Sequence, residues 1–161
     1  MTSSVKDGGT GKTNGGRSRS GRHRAREFAL QGLYQWLLTG VSTETIVEQL
    51  SEASDFSKID LEYFRIILSG AIASQTVLEA AIVPHLDRGV EALSPIERGI
   101  LLLAGFELKQ QIDVPYRVVI NEAVELAKTF GSVDGYKYVN GVLDKLALDF
   151  REVEVQGRSS R

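Results

Sequence analysis

The sequence predicts an all-α protein. Apolar residues recur at three- and four-residue spacing in successive segments, and no segment alternates with period two. Residues that start or stop helices fall between those segments. A chain of 161 residues suits one domain, or two small helical sub-bundles.

Residues 1–21 are mostly Gly, Ser and Thr with scattered bases, too polar to offset the entropy of ordering, so a disordered arm is expected there. Gly11-Lys12-Thr13 ends like a phosphate-binding loop. That pattern requires glycine where Lys6 stands and a strand before it, so no nucleotide site is expected. The first helix should run from about Arg22 to Leu38. Ala25, Ala29, Gly32, Leu33, Trp36 and Leu37 share its inner face, Arg24, Gln31 and Gln35 project opposite, and Tyr34 sits on the border. Gly40 is its expected left-handed cap. A shorter helix follows from about Thr43 to Ala53, with Ile46, Val47 and Leu50 inward.

Asp60 should cap a third helix reaching Val83, about 35 Å long at 1.5 Å per residue, with Leu61, Phe64, Leu68, Ala71, Ile72, Leu78 and Ile82 as its apolar stripe. Pro84 marks its end. Ser94-Pro95-Ile96-Glu97 is a capping box with proline at the first helical position. The helix it opens, to about Lys109, is apolar nearly all round and belongs at the centre of a bundle. Asp113-Val114-Pro115 opens a fifth helix to about Phe130, with Val119, Ala123, Leu126 and Ala127 inward and Glu122, Glu125 and Lys128 outward, and Gly131 caps it. A last helix, about Val133 to Leu148, buries Val139, Val142, Leu143 and Leu146, and residues 152–161 read as a frayed tail. Asn121 and Asn140 lie in apolar helices, where buried amides joined by inter-helix hydrogen bonds are expected.

Composition narrows the function classes. No cysteine is present, which removes disulfides and thiolate metal sites, and His23 and His85 are far apart. His85 follows Pro84 in a turn and reads as a surface or capping residue. There is no Ser-His-Asp grouping, no glycine-rich dinucleotide loop and no His-x-Glu deaminase pattern, so neither catalysis, a cofactor nor a metal is expected. Glu122 and Glu125 are better explained, beside Lys128, as a solvated face. No apolar run approaches the ~18–20 residues of a membrane span, and the first twenty residues lack the apolar centre of a secretory signal. A cytoplasmic protein without membrane contact is expected.

Charge points to nucleic acid. Residues 1–26 hold seven basic residues against Asp7, a net +6, while the remainder holds twelve against twenty, a net −8. Arg17, Arg19, Arg22, Arg24 and Arg26 fall within ten residues and lead into a helix carrying Gln31 and Tyr34. Guanidinium groups donate forked hydrogen bonds to phosphate. Tyrosine stacks on an unpaired base and an amide reads a base edge, a combination suited to single-stranded RNA. A solubilising tail is the bland alternative. A membrane-surface helix is another, although Trp36 falls in the apolar stripe.

Three stretches carry a family resemblance. Residues 24–36, from Arg24-Ala25-Arg26-Glu27 to Tyr34-Gln35-Trp36, resemble the opening helix of NusB proteins. Residues 113–116 and 120–128 (Asp113-Val114-Pro115-Tyr116; Ile120-Asn121-Glu122-Ala123 to Lys128) are similar to a second family segment, and Lys137-Tyr138-Val139-Asn140-Gly141 to Lys145 to a third. The match covers about residues 22–151. It implies two three-helix sub-bundles packed across each other, and binding of boxA-type single-stranded RNA together with the ribosomal protein NusE. It also implies a role in the antitermination complex of RNA polymerase, chiefly in ribosomal RNA operons. By position it implies an RNA face of Arg22, Arg24, Arg26, Gln31, Tyr34, Lys137 and Tyr138, with Glu97 and Asp134 towards the partner. His23 interrupts the run of basic residues that the family often has. Two alternatives stay open: a detached NusB-like domain of the kind found in ribosomal RNA cytosine methyltransferases, and a helical protein-interaction module.

Overall fold

The computed structural model describes the backbone of residues 3–159 and the side chains of residues 21–157. Eight α-helices and no strands occur among them: α1 (Ser3–Thr39), α2 (Thr43–Leu50), α3 (Leu61–Ala73), α4 (Gln75–Ile82), α5 (Pro95–Gln110), α6 (Tyr116–Phe130), α7 (Gly135–Phe150) and α8 (Glu152–Ser159). Two sub-bundles result. Helices α1, α2 and α3 pack together, α5, α6 and α7 form the second group, and α5 lies against both α1 and α3. As its all-round apolar sequence requires, α5 is the centre: Ile100, Leu101, Leu102, Leu103 and Leu108 are buried on every side.

Several caps form as the sequence predicts. Gly40 takes φ +71°, a conformation costly to residues with a Cβ, and its N–H donates to the Trp36 carbonyl at 2.8 Å. Asp60 Oδ1 accepts from the Tyr63 N–H at 3.1 Å, and Ser94 Oγ from the Glu97 N–H at 3.1 Å.

Other expectations need correction. Helix α1 starts at Ser3, upstream of the start expected near Arg22; no proline stands between them to break the hydrogen-bond ladder. The expected disordered arm and the Gly11-Lys12-Thr13 motif fall on residues whose side chains lie outside the described ones, as do Arg17 and Arg19. The long third helix is two, α3 and α4, bent by 74° at Ser74. Ser74 leaves the helical region at ψ 12° yet bonds both ways, its N–H to Gly70 and its carbonyl to Leu78 N. The bend lets Leu78 and Ile82 reach Gly105 on α5. Within α3 the buried stripe is Tyr63, Phe64, Ile67, Leu68 and Ala71, while Leu61 is exposed.

The tail expected to fray is helical as α8, and it is anchored. Arg151 is buried and donates to the carbonyls of Leu108 (2.6 Å), Glu107 (3.2 Å) and Gln111 (3.0 Å), so a cation closes the C-terminal end of α5. Arg151 also holds Glu154, whose other oxygen accepts from the Tyr116 N–H at the start of α6 (3.0 Å). Asn121 and Asn140 are exposed rather than buried, because each falls on the outer face of its helix.

Candidate nucleic-acid interface

The basic residues at the start of the packed part of α1 have three different fates. Arg22 is partly exposed. Its Nε lies 3.4 Å from Asp60 Oδ2, and its guanidinium sits 4.2 Å from the centre of the Tyr63 ring. Arg24 is also partly exposed, and all three of its nitrogens face carboxylate oxygens. Nε and Nη2 meet Asp55 Oδ2 at 2.7 and 2.6 Å, and Nη1 meets Glu27 Oε1 at 2.6 Å. Burial alone would lower its pKa, but hydrogen bonds to Asp55 and Glu27 outweigh that and raise it.

Arg26 is not on the surface. Its side chain is 5% exposed, and it donates through Nε and Nη2 to Glu107 of α5 at 2.9 and 2.8 Å. Glu107 also accepts from the Tyr63 hydroxyl. Desolvation of Arg26 is outweighed by its hydrogen bond to this carboxylate, so its pKa rises. Tyr63 is pushed up by burial first and then by Glu107. Arg26, expected on the RNA face, is instead held inside the core by a partner 81 positions away. Glu122, expected on a solvated face, turns to the same region, with His23 Nδ1 at 2.8 Å and Arg26 Nη1 at 3.7 Å.

Gln31 and Tyr34 are exposed, and Arg24 and Gln31 lie seven residues apart on one face of α1. Both Gln31 and Tyr34 line an open apolar groove of about 390 Å³ with Leu38, Leu50, Ile96 and Phe130. Twelve residues separate Arg22 from Tyr34, roughly 18 Å along the axis. The predicted face is thus a basic end and an apolar end of one helix, not a single patch.

The remaining predicted residues gather at the starts of α5 and α7. Tyr138 donates its hydroxyl to Asp87 Oδ1 at 3.0 Å and lies under the Arg88 guanidinium at 4.5 Å. Lys137 and Asp134 are exposed and loosely paired at 3.8 Å. Glu97 is half-buried, with Ser132 Oγ at 3.5 Å and the Gly135 backbone packed against it. Ile96 and Phe130 join this corner to Tyr34 through the groove. Sequence reasoning missed Asp55, Arg88, Ile96 and Phe130. Neither Asp55 nor Arg88 lies in a periodic segment, and Ile96 and Phe130 show only as ends of apolar helices.

The NusB family model matches residues 23–148. The chain belongs to the NusB family. The transcription antitermination protein NusB of Paraburkholderia xenovorans (strain LB400) is 58% identical over 143 residues, covering 89% of this chain and 99% of its own. That of Bordetella pertussis (strain Tohama I) is 51% identical over 148 residues, covering 89% and 96%. Among solved structures, NusB of T. maritima superposes with a TM-score of 0.69 at 30% identity, covering 78% of this chain and 89% of its own. A crystal structure of the antitermination factors NusB and NusE in complex with dsRNA gives a TM-score of 0.73 at 26% identity, covering 80% and 98%. Both of these relatives are transcription antitermination proteins. No single described helix is long and apolar enough to cross a membrane; α3 and α4 pass that test only together, across their 74° bend.

Proposed function

We propose that this chain is a cytoplasmic transcription antitermination factor. It binds boxA-type single-stranded RNA together with the ribosomal protein NusE and promotes read-through by RNA polymerase in ribosomal RNA operons. The observation that carries this reading is the exposed strip on α1, where Arg24, Gln31 and Tyr34 lead from basic residues to an apolar groove. Arg22 and Arg24 meet phosphate, Tyr34 stacks on a base, Gln31 reads a base edge, and Lys137 and Tyr138 extend the track. Glu97 and Asp134, at the corner beyond the groove, face the partner protein. Family membership supports the assignment, as does the neighbouring complex that contains NusE and RNA.

The test is a salt-titrated binding assay with a boxA-like oligonucleotide, single-stranded and as a duplex because the neighbouring complex holds dsRNA, with and without NusE. Affinity should favour the single strand, strengthen with NusE and fall with log[salt] at a slope of about 0.7 per phosphate contact. It should collapse in an Arg22→Ala, Arg24→Ala, Tyr34→Ala triple variant. Arg26 is kept intact, since its loss would test folding. Salt-insensitive binding that the triple variant leaves unchanged would refute the assignment.

A further inference from the structure

We propose that Asp55 is an intramolecular competitor of RNA phosphate at Arg24, a residue that sets affinity and thereby specificity; the inference rests on the RNA-binding reading above. Arg24 has no nitrogen left without a carboxylate, and Asp55 occupies two of the three. A carboxylate on the forked edge of a guanidinium takes the place that a phosphate needs. The other face of Arg24 lies 4.5 Å from the centre of the Phe28 ring, so Arg24 is fixed from below as well.

Asp55 is also held in place. The next residue, Phe56, is buried and packs edge-on against Phe28 at 5.2 Å and Phe64 at 5.3 Å, which pins the turn between α2 and α3 over the start of α1. Asp55 stands at the start of the short 3-10 turn Phe56–Lys58 yet makes no side-chain capping bond there. Asp60 differs: it too meets an arginine, Arg22, but its other oxygen caps α3. Asp55 is therefore the carboxylate whose side chain is committed to Arg24 rather than to a helix end. Both Asp55 and Arg24 are more than one-third exposed, so phosphate reaches the pair from solvent.

The consequence is discrimination. An RNA that offers phosphate alone must displace Asp55 without compensation, whereas one that also fills the groove beside Tyr34 gains contacts elsewhere. Asp55→Asn should strengthen binding of an oligouridine about two- to five-fold, the worth of an exposed ion pair, and steepen the salt slope by up to ~0.7. The gain on a boxA-like strand should be smaller. In an Arg24→Ala background the Asp55→Asn gain should vanish, and Glu52→Gln, which removes an exposed charge nearby, should not reproduce it. An Asp55→Asn affinity equal to the parent's, a gain that persists without Arg24, or an equal gain from Glu52→Gln would each overturn the proposal. RNA binding by none of these proteins would overturn the function proposed above, and this inference with it.

Discussion

Arg26 and Glu107 form a buried, two-pronged ion pair between the first helix and the central helix, with side chains 5% and 3% exposed. The Tyr63 hydroxyl completes the carboxylate's shell, so three helices, α1, α3 and α5, meet at one charged point in an apolar interior. Removing one partner strands the other charge. Arg26→Ala should cost about 3–5 kcal/mol in urea unfolding, whereas replacing Arg26 and Glu107 together by Met and Leu should recover most of that loss. Equal losses in the single and double variants would contradict this account.

The C-terminal anchor gives a second expectation. Arg151→Ala takes the donor from the Leu108 carbonyl and a second donor from those of Glu107 and Gln111, which keep the N–H groups of Gln111 and Val114. With one buried carbonyl left unsatisfied, the net loss should be about 1–3 kcal/mol. Hydrogen exchange should speed up at the Tyr116 amide and through α8, because Glu154 loses its hold. Unchanged protection there would show that α8 docks by other contacts.

Gly70 makes a third. A Cβ built there comes 2.2 Å from the tip of the buried Phe106 ring. Alanine gains about 1 kcal/mol in helix propensity, while forced repacking costs about 1–3 kcal/mol, so Gly70→Ala should be destabilising overall. A rise in melting temperature would mean that the ring moves aside freely.

Asp87 gives a pH-dependent expectation. Hydrogen bonds from Arg88 and then from Tyr138 hold its carboxyl below the usual value of 3.8. The folded pKa is depressed. Its contribution to stability is therefore present above the unfolded value and is lost as pH falls through the folded one. A carboxyl NMR titration should place Asp87 below 3.8, and Tyr138→Phe should move it upward. A midpoint at or above 3.8 in the parent protein would deny the Tyr138–Asp87–Arg88 cluster.

At the groove, Tyr34→Phe should keep RNA affinity while Tyr34→Ala should lose about 1–3 kcal/mol, since stacking needs the ring and not the hydroxyl. Equal effects from the two substitutions would assign Tyr34 a hydrogen-bonding role instead.

The sequence by itself determined the local features. Apolar spacing identified four of the helices, α2, α5, α6 and α7, near their observed limits, and local chemistry identified the caps at Gly40, Asp60 and Ser94. Such features follow from residues within one or two turns of each other. The exposed positions Gln31 and Tyr34 were legible for the same reason, lying off the apolar stripe of α1. Only the tertiary structure decided which arginine is buried. Arg22, Arg24 and Arg26 look alike in sequence, but their carboxylate partners lie 38, 31 and 81 positions away. The bend at Ser74 and the docking of α8 were likewise set by distant packing, Leu78 on α5 and Arg151 on its C-terminal carbonyls. Short-range spacing fixes which face of a helix is apolar. Which charge that face carries into the core depends on the element it meets there.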